Sequence, residues 1–264
     1  CFATEFWERF SFYGMKYLLL LYLTKYHLFT DSMGLDVLAS YAALVYAMPV
    51  LGGLLADRYL GMRKAVSFGA MLLVAGHLGM AYEGHQAYIV DNAVIRDEQA
   101  LDVFYLSLSL IVVGVGFLKP NISTVVGKLY ADNDPRRDSG FTIFYMGINM
   151  GALSATLLCG YFGETYGWGY GFGAAGIGMA LGLIVFQAGQ AHLQGYAEPQ
   201  DLKLLQEKSM LGLSKEWTIY LAAFTSLAFF WNVLQNSHLV EWLLNGLSLV
   251  VISGLLCFVL QKCD

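Results

Sequence analysis

Residues 4–26 read TEFWERFSFYGMKYLLLLYLTKY, an apolar stretch that nevertheless carries Glu5, Glu8, Arg9 and Lys16. At about 100° per residue these four side chains fall on one face of a helix, roughly a quarter-turn wide. A charge at the centre of a membrane helix costs about 2.5–3.5 kcal/mol, so we expect this face to point into protein or a water-filled cavity. The alternative is that residues 4–9 lie in the headgroup region, where charges cost little.

The composition is that of a membrane protein. Hydrophobic residues make up 57% of the chain and charged residues only 13%, about half the charged share of a soluble domain, and the mean hydropathy is +0.56. The long continuous apolar runs exclude alternating barrel strands and predict an all-α membrane fold. Eight spans are predicted, near residues 3–26, 37–56, 65–83, 102–127, 139–163, 168–191, 217–237 and 239–261.

Basic residues predict the orientation of these spans. Lys and Arg concentrate in the loops after the second, fourth and sixth spans, whereas residues 84–100 are mainly acidic. By the positive-inside rule the basic loops are cytoplasmic, and so is the amino terminus. Residues 192–216 are polar and predict a cytoplasmic linker between a bundle over residues 1–191 and a helical hairpin over residues 217–264.

Lys119 stands deep in the fourth span, in VVGVGFLKPNIS, after an uncharged run from residue 103 to residue 118. A buried cation needs an anion, and Glu5 and Glu8 are the intramembrane carboxylates available. The sequence therefore predicts a network that joins Glu5, Glu8 and Arg9 to Lys119, between the first and fourth helices. Such a network is either a structural clamp or a site that exchanges protons, and the residues alone leave both interpretations open.

Three motifs resemble those of the proton-dependent oligopeptide transporters, a branch of the major facilitator superfamily. EFWERFSFYG, residues 5–14, resembles the family motif ExxERFxYYG. GGLLADRYLGMRKAVSFGAMLLVAG, residues 52–76, and FTIFYMGINMGAL, residues 141–153, look like its two signatures. The three motifs occur in the family's order, and the resemblance extends over the whole chain.

The resemblance implies roles for single residues. Glu5, Glu8, Arg9 and Lys119 match the proton-coupling residues, and Asp57, Arg58 and Arg63 match a conformational loop between the second and third helices. Tyr13, Lys16, Tyr46, Lys119 and Asn149 match positions that bind the peptide. Lys16 departs from the family's usual arginine and loses its bidentate fork, and Phe12 departs from its usual tyrosine.

The resemblance also implies the setting in which the chain acts. Family members are multi-pass proteins of the bacterial inner membrane that move small peptides with protons, and they need no cofactor. They rock two six-helix bundles around a central site. This sequence covers the first bundle and the inserted hairpin, so we expect it to be a partial chain whose partner is the carboxy-terminal bundle of the same protein.

Other functions remain as alternatives. The fold is also compatible with transport of another small solute, such as nitrate or a peptide-like compound, and with a sensor that transports nothing. An enzyme is not expected, because motifs such as HExxH and GxSxG are missing from the sequence. The four cysteines have no CxxC spacing, so no metal site is expected, and no nucleic-acid partner is expected either.

Overall fold

The computed structural model describes residues 1–131, 133–193, 195–208 and 212–236, with scattered positions between 239 and 254. These residues form helices and one short β-hairpin. The helices are α1 Phe2–Leu21, α2 Asp31–Leu55, α3 Met62–Met80, α4 Glu98–Lys128, α5 Arg137–Tyr166, α6 Trp168–Ala188, α7 Leu202–Gln206 and α8 Lys215–Gln235, and the strands are β1 Tyr88–Val90 and β2 Ala93–Ile95. π-Helical turns over Tyr22–Tyr26 and Ala56–Leu60 extend α1 and α2.

The helices confirm the predicted all-α membrane fold. Among the described residues, five helical stretches are long and apolar enough to cross a bilayer: Asp31–Leu60, Glu98–Lys128, Arg137–Tyr166, Trp168–Ala188 and Lys215–Gln235. α1 and α3 coincide with the first and third predicted spans but are not among these five, since α1 carries four charges and α3 begins with two. The eighth predicted span, residues 239–261, falls largely outside the described residues.

Packing places α1 and α4 in separate parts of the bundle. α1 packs along α5 and α6, whereas α4 packs along α2 and α3, and α3 also contacts α6. α8 lies against α4 and α2, where the Trp231 indole N–H donates to the carbonyl of Asp102 at 3.2 Å. In α4, 78% of an 18-residue apolar stretch is buried, whereas in α5 only 22% of such a stretch is buried. One face of α5 is therefore left for lipid or another part of the protein.

Side-chain caps determine where several helices begin. Thr30 Oγ1 accepts a hydrogen bond from the Met33 N–H, so α2 begins at Asp31, six residues before the predicted start of the second span. Ser214 caps α8 in the same way. These caps satisfy backbone N–H groups that the first helical turn leaves without partners.

A β-hairpin occupies the loop that the sequence analysis described only as acidic. Asp91 and Asn92 both have positive φ, the conformation that a type I′ turn requires between paired strands. Arg96 follows the hairpin and donates to the carbonyls of His27 and Leu28 at 2.8 and 3.0 Å. The loop is thereby joined to the end of α1.

Asp97 fixes the other side of this loop. Its carboxylate accepts hydrogen bonds from the backbone N–H groups of His85 and Ala100, both at 3.0 Å, and these bonds lower the pKa of Asp97. The residue therefore caps α4 and holds the preceding loop at the same time.

We predict that Asp97→Ala lowers the free energy of unfolding by about 1 kcal/mol, because the α4 cap and the bond to His85 are both lost. Asp97→Asn keeps a side-chain oxygen and serves as the matched control, with a smaller loss. Thermal unfolding in detergent measures the difference. Equal stability of the alanine variant and the native protein would show that the cap contributes nothing.

Candidate functional site

α5 and α6 pack closely on the face of α1 that carries Phe6 and Phe10. A Cβ added at Gly151 of α5 would lie 2.4 Å from the carbonyl oxygen of Phe6, and one at Gly178 of α6 would lie 2.5 Å from the ring of Phe10. Both distances are shorter than any ordinary contact, so glycine is required for the helices to approach this closely. Glu5 and Glu8 point away from this face of α1, and both are at most 4% exposed.

Arg9 binds both carboxylates of α1. Its Nε and Nη2 donate to the two carboxylate oxygens of Glu8, and Nε lies 3.4 Å from Oε1 of Glu5. All three side chains are at most 5% exposed. The burial in protein that was predicted for this face is therefore found for Glu5, Glu8 and Arg9.

The charges of this cluster do not balance. Two carboxylates share one guanidinium, and Oε2 of Glu5 is buried without a hydrogen-bond partner among the described residues. With both carboxylates ionised, the Glu5–Glu8–Arg9 cluster carries one net negative charge, which is costly away from water. A proton or another cation nearby would remove that cost.

Lys119 is the nearby cation, but the predicted ion pair is not formed. Within the described parts of the chain, no carboxylate oxygen lies within ion-pair distance of the Lys119 ammonium. Nζ instead lies 5.3 Å from the ring centroid of Tyr46 and 5.9 Å from that of Phe12. The expected direct contact was wrong for this conformation because Arg9 binds both carboxylates and α4 packs along α2 and α3 rather than α1.

The ring of Phe12 lies against two cations of the site, a role that was not predicted from the sequence. The Arg9 guanidinium lies 4.9 Å from the centroid of its ring, so the ring contacts Arg9 and also Lys119. Cations bind favourably over aromatic faces, and this arrangement holds two cations near each other without a bridging anion. Arg9 and Phe12 are three residues apart on α1, a spacing that places both side chains on one helix face and could have predicted their contact.

The other residues predicted to bind peptide lie on helix faces that the described chain leaves accessible. Tyr13 and Lys16 on α1 are half-buried, and Tyr46 on α2 is 65% exposed. Asn149 on α5 is exposed, and its amide donates to the carbonyl of Tyr145, one turn earlier in the same helix, at 3.2 Å. This amide therefore has its hydrogen-bond partner in its own helix. The structure brings Tyr46 to Lys119 and Tyr13 to within 5.9 Å of Arg9.

The predicted conformational loop contacts the linker that follows α6. Asp57 and Arg58 are exposed, whereas Arg63 forms an ion pair with Glu198 at 2.8 Å. Gly61 adopts a φ of 74°, and a Cβ there would lie 2.4 Å from the backbone nitrogen of Pro199. The sequence predicts the loop and the linker as separate segments and does not predict the contact between them.

Comparisons with known proteins place these features in a family. Residues 63–211 match the sequence profile PTR2, described as the POT family. The chain is 43% identical over 221 residues to the uncharacterized transporter YclF of Bacillus subtilis (strain 168), a match that covers 80% of this chain and 41% of YclF. It is 40% identical over 198 residues to the Di-/tripeptide transporter of Lactococcus lactis (strain IL1403), covering 72% of this chain and 36% of that protein.

The fold is shared with solved structures. A bacterial homologue of the human drug peptide transporters PepT1 and PepT2 superimposes with a TM-score of 0.76 at 27% identity, over 96% of this chain and 52% of that one. The chain thus spans about half the length of this structure and less of the two curated relatives.

We predict that Arg9→Met lowers the free energy of unfolding by about 3–5 kcal/mol, because it leaves two buried carboxylates without a cation. Adding Glu5→Gln and Glu8→Gln to the same variant restores most of that loss, and Arg58→Met, an exposed control, changes stability by about 0.5 kcal/mol or less. Denaturant unfolding in detergent compares the four proteins. A single Arg9→Met variant as stable as the native chain would contradict the pairing.

Proposed function

This chain belongs to the POT family, and we propose that it forms the amino-terminal part of a transporter that carries di- and tripeptides into the cell together with protons. The observation that carries the proposal is the buried Glu5–Glu8–Arg9 cluster with one carboxylate in excess, close to a Lys119 that has no carboxylate partner among the described residues. A static clamp has no need of an unbalanced charge, whereas a proton-coupled site does.

In the proposed cycle a proton and Lys119 are alternative partners for the same carboxylate. When Glu5 and Glu8 are both ionised, the excess negative charge attracts the Lys119 ammonium. When an external proton neutralises one of them, Lys119 is released and binds the carboxylate of an entering peptide. The aromatic contacts of Lys119 with Phe12 and Tyr46 match the released position.

The peptide would occupy the face lined by α1, α2, α4 and α5. Lys119 and Lys16 supply positive charge for the peptide carboxylate, and Tyr13, Tyr46 and Asn149 supply hydroxyl and amide groups. Lys16 acts as a point charge where an arginine would bind the carboxylate in a bidentate manner. The name of the Lactococcus lactis relative supports di- and tripeptides as the substrate class.

Transport requires a second half that moves against this one. We assign residues 1–191 to the amino-terminal bundle, residues 192–216 to a cytoplasmic linker and residues 217–264 to an inserted hairpin, with a carboxy-terminal six-helix bundle as the partner. The amino terminus is placed in the cytoplasm of a bacterial cell and the helices in its inner membrane. Each positive charge moved inward then gains about 2.3 kcal/mol per 100 mV of membrane potential.

Two other functions are less favoured. Transport of another small solute would use the same coupling cluster and differ in the residues of the second bundle. A sensor that transports nothing has no need of a proton-exchanging network, and an enzyme is less favoured because the sequence lacks motifs such as HExxH and GxSxG. The proposal therefore stays with a transporter that needs no cofactor other than protons.

We predict that Glu8→Gln in the full-length protein abolishes peptide accumulation driven by a proton gradient, because the glutamine side chain cannot bind and release a proton. Exchange of internal for external peptide, which needs no net proton movement, remains. Uptake and counterflow of labelled dipeptide in proteoliposomes measure the two. Glu164→Gln, which changes an exposed carboxylate on α5, is the control, and normal accumulation by Glu8→Gln would refute the coupling role.

Lys119→Ala tests the other partner. Without the ammonium, protonation of the carboxylates no longer releases a peptide-binding group, so gradient-driven uptake falls to the background level and its dependence on external pH disappears. Lys128→Ala, which removes an exposed lysine from the same helix, leaves both unchanged. If Lys119→Ala kept the native pH dependence, Lys119 would not be part of the coupling.

A further inference from the structure

A groove of about 630 Å³ lies between α3, the end of α6 and α8, away from the coupling cluster. Its floor is aromatic, because the Phe68 ring lies 4.6 Å from that of Tyr220 and 6.0 Å from that of Phe224. Met71 of α3 and Phe224 of α8 line it and are about half exposed. We call it the α3–α8 groove.

The groove runs along the membrane-spanning part of the bundle. It extends from Arg63 to Ala75 on α3, a rise of about 18 Å, and from Glu216 to Phe224 on α8. Its deeper part is lined mainly by apolar side chains, among them Met71, Leu72 and Phe224. Where such a groove faces the hydrocarbon of a bilayer, an acyl chain fills it, since an empty or hydrated apolar channel would lose those contacts.

The shallow end of the groove carries charges of both signs. Lys64 forms an ion pair with Glu216 at 2.7 Å, and Tyr220 donates to the same carboxylate at 3.1 Å. Arg63 forms an ion pair with Glu198 beside them. Trp217 lines the same end and is 64% exposed, as is typical of an aromatic residue at the membrane surface.

Two basic and two acidic groups give this end no net charge, which determines the headgroup that fits. An anionic headgroup would add a negative charge without a free cation to bind it. A zwitterionic headgroup matches both signs, with its phosphate near Arg63 or Lys64 and its ammonium near Glu216. A primary ammonium also donates three hydrogen bonds to carboxylate and phenol oxygens, which a quaternary ammonium cannot do.

We propose that the α3–α8 groove is a binding site for phosphatidylethanolamine, with one acyl chain between Met71 and Phe224 and the ammonium on Glu216. The bound lipid fills the space between the bundle and the first helix of the hairpin. This site is separate from the proposed coupling residues, so it stands or falls independently of peptide transport.

The test is native mass spectrometry of the full-length protein in detergent with equal amounts of dioleoyl phosphatidylethanolamine, phosphatidylcholine and phosphatidylglycerol. The native protein retains phosphatidylethanolamine in preference to the other two. Met71→Trp fills the groove and lowers this retention about tenfold, as expected for loss of two buried methylene groups. Ile177→Trp, at an exposed apolar position of α6 outside the groove, leaves it unchanged.

A second pair of variants tests the headgroup without altering the apolar part. Glu216→Gln lowers the preference for phosphatidylethanolamine over phosphatidylcholine about threefold. It also raises binding of phosphatidylglycerol, because the shallow end of the groove becomes positively charged. Glu207→Gln is the control, since Glu207 also pairs with a lysine, Lys215, but does not line the groove.

Three results would overturn the proposal. Met71→Trp could retain as much lipid as Ile177→Trp, or the native protein could bind the three lipids equally or prefer phosphatidylglycerol. The third is that a cysteine at position 71 forms cross-links with cysteines placed in residues 239–261, which would show that the second arm of the hairpin occupies the groove instead of a lipid.

Discussion

One guanidinium shared by two buried carboxylates is the constraint on which the functional account depends. Arg9 satisfies Glu8 with two hydrogen bonds and reaches Glu5 with a longer contact, so the cluster is held together and carries an excess negative charge when both carboxylates are ionised. A fully balanced cluster would be more stable and chemically inert. The proposed coupling uses this imbalance, with a proton and the ammonium of Lys119 as the alternative partners of the excess carboxylate.

The bundle is built so that this imbalance persists. Glycines of α5 and α6 let both helices pack directly on α1, and Glu5 and Glu8 are buried toward its other side, where electrostatic interactions are stronger than in water. α4 belongs to the other side of the bundle with α2 and α3, so Lys119 reaches the site across aromatic rings rather than through a fixed ion pair. The proposed exchange of partners by Lys119 is consistent with this separate packing of α1 and α4.

The sequence predicted the helices and the burial of the α1 charges well, because both follow from local periodicity and from the cost of charge in hydrocarbon. The sequence did not predict which side chains pair with each other across different helices and loops. Glu8 binds its neighbour Arg9 instead of Lys119, and the linker contacts α3 through the ion pair of Glu198 with Arg63. The π-helical turns and the β-hairpin were not predicted either, because each depends on a few residues and produces no long periodic pattern in the sequence.

The protonation state of Glu5 and Glu8 tests the central claim most directly. Infrared spectroscopy of the full-length protein in lipid reports protonated carboxyl groups through their C=O stretch, and glutamine variants assign the band. If a proton and Lys119 are alternative partners, Lys119→Ala at neutral pH increases the band of a protonated buried carboxyl, and adding Glu5→Gln and Glu8→Gln removes the increase. An identical carboxyl band with and without Lys119 would contradict the account.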